Sequence, residues 1–163
     1  MDKPQRKPNR LPDYDYSNNG MYFITICTQN KEHIFGKIVG ASIARPPEIH
    51  LSAHGKIVKT AIENIHTHYP TVSVEKYVIM PNHIHLLLLI DTFNESGRPM
   101  VAPTISTVIQ QMKGYVSKQI GFSPWQKLFH DHIIRGEKDY EKIWEYINTN
   151  PQKWENDCFY SAD

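Results

Sequence analysis

No stretch of this chain approaches the roughly eighteen consecutive apolar residues that a membrane helix needs. The first ten residues, MDKPQRKPNR, carry charge and proline but no apolar core, so no secretory leader is expected there. Cysteine is scarce. Cys27 and Cys158 stand far apart, which excludes a disulfide framework and metal-type cysteine spacing and fits a reducing cytoplasm. A surplus of one charge is lacking too. The net charge of +1 gives no overall basic footprint for nucleic acid. The charge is unevenly spread, however. Lys3, Arg6, Lys7 and Arg10 stand against Asp2 near the start, whereas residues 137–163 hold three lysines against seven acids. An arm over 1–20 is expected, either gripping phosphates by counterion release or solvated as a tail. The remainder, 21–163, has the length of one domain. No internal repeat or low-complexity segment interrupts it.

What is present is a chain of strand and helix signals. MYFITICT (21–28) is dense in aromatic and β-branched residues and reads as a strand. HIFGKIV (33–39), EIHL (48–51), TVSVEKYVIM (71–80), HIHLLLLI (83–90) and WQKLFHDHIIR (125–135) read as further strands. Ser52 is placed to cap a helix running to about His66. A second helix is expected from Thr104 to Ile120, with Ile105, Val108, Ile109, Met112, Tyr115 and Val116 on one face and Gly121 as its stop. A third spans 137–150 and ends at Pro151. Too little helix is present for a parallel sheet. The fold class is therefore α+β, an antiparallel sheet with helices packed on it.

The most informative stretch is VIMPNHIHLLLLI (78–90). Side chains alternate along a strand, so His83 and His85 share one face while Ile84, Leu86, Leu88 and Ile90 share the other. A strand this apolar has no structural need for two imidazoles. Side by side on a rigid element, they suit a metal ion or catalysis; the structural alternative is a pair of buried, hydrogen-bonded histidines. Two other His-x-His pairs occur. His66 and His68 fall at a helix end and read as surface or capping residues. His130 and His132 fall on a strand, where His132 is a candidate for a supporting or substrate-contacting group. Zinc would want a cysteine or third histidine in register. Two imidazoles plus an oxygen donor suit Mn²⁺ or Mg²⁺.

KIWEYINTNPQKW (142–154) supplies an oxygen donor and a nucleophile. Tyr146 and Asn150 are four apart and share a helix face. Tyr140, Ile143, Trp144 and Ile147 form the core stripe, and Tyr146 lies about 100° from Ile147 around the helix. The Asn150 amide oxygen can ligate a metal, or the residue can simply cap the helix. Tyr115 is the rival nucleophile, but its position on the apolar stripe of its helix explains it by packing.

Four stretches in this order, RLPDYDYSNNGMYFITICTQN, VIMPNHIHLLLLI, WQKLFHDHIIRGEKDY and IWEYINTNPQKW, resemble the HUH single-strand tyrosine transposases, most of all their REP-associated branch. The resemblance spans nearly the whole chain. It implies a ferredoxin- or RNA-recognition-like sheet fold. It implies that His83, His85 and Asn150 hold Mg²⁺ or Mn²⁺ and that Tyr146 attacks the scissile phosphate. The products would be a 5′-phosphotyrosine link and a free 3′-OH, rejoined by reversal without ATP. The implied partner is single-stranded DNA beside a hairpin, a REP-like palindrome, bound by a monomer or a homodimer. The basic arm, Lys113, Lys118, His132 and Lys142 are candidates for contacting DNA or supporting the site. Three alternatives stay open: a hairpin-binding module without catalysis, a hydrolase using a metal-bound water, and a domesticated relative that no longer moves its own gene.

Overall fold

The structure, a computed structural model, describes residues 11–40, 44–93 and 96–162. Gly20–Cys27 (β1) forms where aromatic and β-branched residues cluster, and it pairs with the histidine strand His83–Ile90 (β5). With Val72–Met80 (β4) and His130–Ile133 (β6) these build a four-stranded antiparallel sheet in the order β4-β5-β1-β6. Gly36–Val39 (β2) and Glu48–Leu51 (β3) form a separate two-stranded ribbon.

The alternation in β5 sorts the sheet into two faces. Ile84, Leu86, Leu88 and Ile90, with Tyr22, Ile24 and Ile26 of β1, pack into the main core against Ala53–Glu63 (α1) and Ile105–Ile120 (α3). The opposite face carries His83, His85 and Leu87. Glu137–Thr149 (α4) lies there, with the Lys76 ammonium of β4 4.2 Å from the centroid of the Trp144 ring. Helix-on-both-faces burial explains why β5 reads as a continuous apolar run.

Several boundaries differ from the sequence reading. The helix from Ser52 ends at Glu63, and a separate short helix, Ile65–His68 (α2), follows Asn64. The strand expected over 125–135 is confined to 130–133, because Trp125 instead bridges Thr28 and donates its indole N–H to the Lys113 carbonyl. Residues 33–35 lie outside β2. Helical winding does not stop at Pro151: α4 passes into a 3₁₀ segment over Asn150–Asn156, whose early position tolerates a proline lacking its N–H. The segment read as an arm over 1–20 is structured in its second half. Tyr14 and Tyr16 pack with Tyr22, and Tyr16 belongs to the core.

Other signals hold. Ser52 Oγ accepts from Gly55 N, and Gly121 closes α3 in the left-handed conformation, while Thr104, expected as the first residue of that helix, instead caps it with Oγ1 accepting from Thr107 N. Ser52 also donates its hydroxyl to Ile34 O and its backbone N–H to Phe35 O, drawing α1 tightly onto that segment. A Cβ at Gly55 would lie 2.0 Å from Phe35 O. Gly55→Ala is therefore expected to destabilise the protein by about 1–3 kcal/mol or more, read as a fall in urea midpoint.

Candidate active site

His83 and His85 are fully buried at the start of β5, on the face covered by α4. Their side chains converge: the two Nε2 atoms are 3.1 Å apart. Each Nδ1 is held from behind. His83 Nδ1 is 2.8 Å from Asn82 Oδ1, and His85 Nδ1 is 2.8 Å from Thr25 Oγ1 on the neighbouring strand. Thr25 comes to this position through the β1–β5 register, which sets it opposite His85. Both Nε2 atoms are thereby aimed at one region.

Asn150 reaches that region from the end of α4. Its Nδ2 donates to Asp157 Oδ2 at 2.6 Å, so its Oδ1 is turned the other way. That Oδ1 is buried and makes no hydrogen bond among the described residues. Asn150 acts on His83 closely enough to favour the protonated ring. A buried amide oxygen without a donor is costly unless something occupies the spot. The pair of Nε2 atoms and this oxygen form a donor set that fits a divalent cation of the Mn²⁺ or Mg²⁺ kind.

The structure adds Asp157, which the sequence reading did not select. Its side chain is almost fully buried, with Oδ2 3.9 Å from His83 Nε2. Ligand atoms of His83, His85 and Asp157 lie within 4.8 Å of one another. Asp157 Oδ1 accepts from Phe159 N, and the Phe159 ring lies over the histidines, 4.8 Å from the His83 ring and 5.9 Å from the His85 ring. Asp157 escaped notice because its approach depends on the 3₁₀ segment after Pro151. A helical winding carried past that proline sets residue 157 back beside residue 150.

Tyr146 belongs to the same cluster. Its ring is half-buried, 5.2 Å from the His85 ring and 6.0 Å from Phe23. Burial first, then the Asp157 charge, push its phenol up to about 12, with Asn150 acting in the opposite direction. Tyr146 is therefore a neutral phenol at neutral pH. Burial also keeps both imidazoles neutral: His83 is pushed down to about 4 and His85 well below its usual value. Neutral imidazole is the ligating form.

This burial has a consequence for acid stability. An unfolded histidine takes a proton near pH ~6.5, whereas folded His83 resists protonation until about 4. The unfolded chain therefore binds more protons between those values, and stability falls as pH drops through that window. His83 therefore penalises the folded state on the acid side, fully below its folded value and not at all above the unfolded one. Urea midpoints of metal-free protein across this range are expected to fall with pH, and less steeply in His83→Gln.

The remaining candidates lie elsewhere. Tyr115 is 41% exposed, so packing does not account for it as expected; it lines a crevice with His68, Tyr69 and Gln111. Its helix, α3, packs on the sheet face opposite the histidines. Lys113 and Lys118 are on that helix too. The Lys113 ammonium donates to the carbonyls of Gln126 and Lys127, and Lys118 is exposed. His132 shares the histidine face but lies two strands from His85, bonded through Nε2 to Asp139 at 2.8 Å. Lys142 is exposed on α4. His66 Nδ1 bonds to Val72 O, tying α2 to β4. Lys3, Arg6, Lys7 and Arg10 lie outside the described residues. No described helix is long and apolar enough to cross a membrane.

No family model matches the chain. An uncharacterised protein of Haemophilus influenzae is 35% identical over 173 residues, covering 95% of this chain and 93% of its own length. A second H. influenzae protein, provisionally named a REP-associated tyrosine transposase, is 25% identical over 146 residues, covering 85% and 74%. Among solved structures, a REP-associated tyrosine transposase bound to a REP hairpin matches with a TM-score of 0.61 at 19% identity, over 94% of this chain and 74% of that one. A Deinococcus radiodurans protein described as a transposase matches with a TM-score of 0.50 at 14% identity, over 86% and 95%. These two structures share the fold: an antiparallel sheet with helices packed against it.

Proposed function

We propose that the chain is a REP-associated tyrosine transposase, like the relative and the solved structure it resembles, and that it cuts and rejoins single-stranded DNA beside hairpins through a covalent bond to Tyr146. The observation that carries this reading is the convergence, in a single buried cluster, of one phenol, two neutral imidazoles and an amide oxygen with no hydrogen bond among the described residues. A packing role would not leave Asn150 Oδ1 without a donor.

The residues divide the work. His83, His85 and Asn150 would hold Mn²⁺ or Mg²⁺, with Asp157 within reach as a further oxygen donor. The bound ion supplies Lewis-acid stabilisation of charge on the phosphoryl oxygens. Tyr146 attacks phosphorus; the Tyr146 O–P bond forms and the P–O3′ bond breaks, leaving a free 3′-OH and a 5′-phosphotyrosine link. The bond energy stays in that link, so a 3′-OH can reverse the step and join strands. Because burial holds the phenol up at about 12, it loses its proton as it attacks, and the departing O3′ takes one up, so no proton is gained or lost overall. Phe23, set edge-on to Tyr146 and stacked with His85 at 5.2 Å, fixes the direction of the phenol.

The test mixes the protein with hairpin-bearing single-stranded DNA and Mn²⁺. A protein–DNA adduct on a denaturing gel, lost with chelator, is the expected result. Cleavage without adduct would move the reading to a hydrolase using water. Tight hairpin binding with neither would move it to a binding module.

A further inference from the structure

The two imidazoles are held from behind by groups of different chemistry, and the difference sets their tautomers. Asn82 is buried, and its Nδ2 donates to Phe159 O at 2.9 Å and approaches Lys31 O at 3.4 Å. Carbonyl oxygens only accept, so the amide cannot be turned around, and Oδ1 must be the atom facing His83 Nδ1. An amide oxygen also only accepts. His83 Nδ1 therefore carries the hydrogen, and its Nε2 is a bare lone pair. That lone pair is 3.1 Å from His85 Nε2, which must then be the donor between them. His85 Nδ1 is left to accept from the Thr25 hydroxyl. Hydrogen bonds thus run one way, from Thr25 through His85 and His83 to Asn82 and the Phe159 carbonyl.

From this chain we infer that Asn82 and Thr25 are positioning residues with unequal jobs: Asn82 locks His83 in the ligating tautomer, whereas Thr25 lets His85 change tautomer when an ion is bound. This rests on the reading that His83 and His85 hold the ion. For both Nε2 atoms to face an ion, His85 must lose its Nε2 hydrogen and gain one at Nδ1. No net proton is gained or lost by the ring. A hydroxyl serves both states, because it donates in the first and, after rotation, accepts in the second. Neither an amide oxygen nor an apolar side chain at residue 25 could do this. Groups that orient ligating histidines typically change metal affinity by ~10–100-fold when removed.

The test reads the tautomers directly, by two-bond ¹⁵N–¹H correlation of imidazole-labelled protein at neutral pH, metal-free and with Zn²⁺ as a diamagnetic probe. Metal-free protein is expected to show His83 as Nδ1–H and His85 as Nε2–H, and Zn²⁺ to convert only His85. Thr25→Val is expected to weaken Mn²⁺ binding ~10–100-fold, and Thr25→Ser to restore it. Asn82→Ala is expected to release His83 into a tautomer mixture; the wild-type spectrum stands even if that variant fails to fold. A metal-free His83 protonated at Nε2, or Thr25→Val binding Mn²⁺ as wild type does, overturns the inference. Wild-type protein that does not bind Mn²⁺ or Zn²⁺ at all overturns the metal reading beneath it instead, while the metal-free spectrum still judges the Asn82 lock.

Discussion

Tyr146→Phe is expected to fold as the parent does and to form no covalent DNA adduct. The substitution removes one oxygen from a half-buried ring whose contacts are with Phe23 and His85, and those ring contacts survive. The hydroxyl sits where burial disfavours its ionised form, so losing it changes stability by about 1 kcal/mol or less. Activity responds on another scale. Without a nucleophile the covalent path is closed, and removal of an enzyme's nucleophile elsewhere costs on the order of 10⁶-fold. A denaturing gel should show no adduct at any practical time, while hairpin binding in a mobility-shift assay stays within a few-fold of wild type. Adduct formation by Tyr146→Phe would assign the attack to another residue.

The second large effect is on metal binding. His85→Ala removes one of two converging Nε2 donors and leaves Thr25 Oγ1 without its partner. Mn²⁺ affinity is expected to fall by at least ~100-fold, the upper range for losing a mere orienting partner. The effect should be visible without DNA. A ligand at a hundred times its Kd stabilises the folded state by about 2.7 kcal/mol. In a chain of this size that raises Tm by roughly 5–10 °C. Wild-type protein should show that rise with Mn²⁺, and His85→Ala should show almost none. Equal shifts in the two proteins would place the ion elsewhere. Adduct formation should fail in the same variant, whose Tyr146 is intact, separating loss of the ion from loss of the nucleophile.

The histidine strand and the helix bearing Tyr146 were legible in the sequence for a physical reason. Both are regular elements whose periodicity fixes which side chains share a face: His83 with His85 at a period of two, Tyr146 with Asn150 one turn apart. The caps Ser52 and Gly121 were equally legible, because capping is a local interaction. What escaped depends on chain segments distant in sequence. Thr25 serves His85 only through strand register. Asn82, at the turn before β5, holds His83 with its oxygen and reaches the distant Phe159 carbonyl with its nitrogen. Asp157 returns to the site only because winding continues beyond Pro151. The basic residues of the arm expected over 1–20, Lys3, Arg6, Lys7 and Arg10, fall outside those described.

The central claim is that Tyr146 becomes bonded to DNA, and the most direct measurement locates the bond. The adduct formed with Mn²⁺ would be digested with nuclease and trypsin and sequenced by tandem mass spectrometry. Cleavage after Lys142 and Lys153 isolates the peptide IWEYINTNPQK. The account predicts a 5′-linked nucleotide on Tyr146 within that peptide. A nucleotide on any other residue, Tyr115 included, or cut DNA with this peptide unmodified, would contradict it.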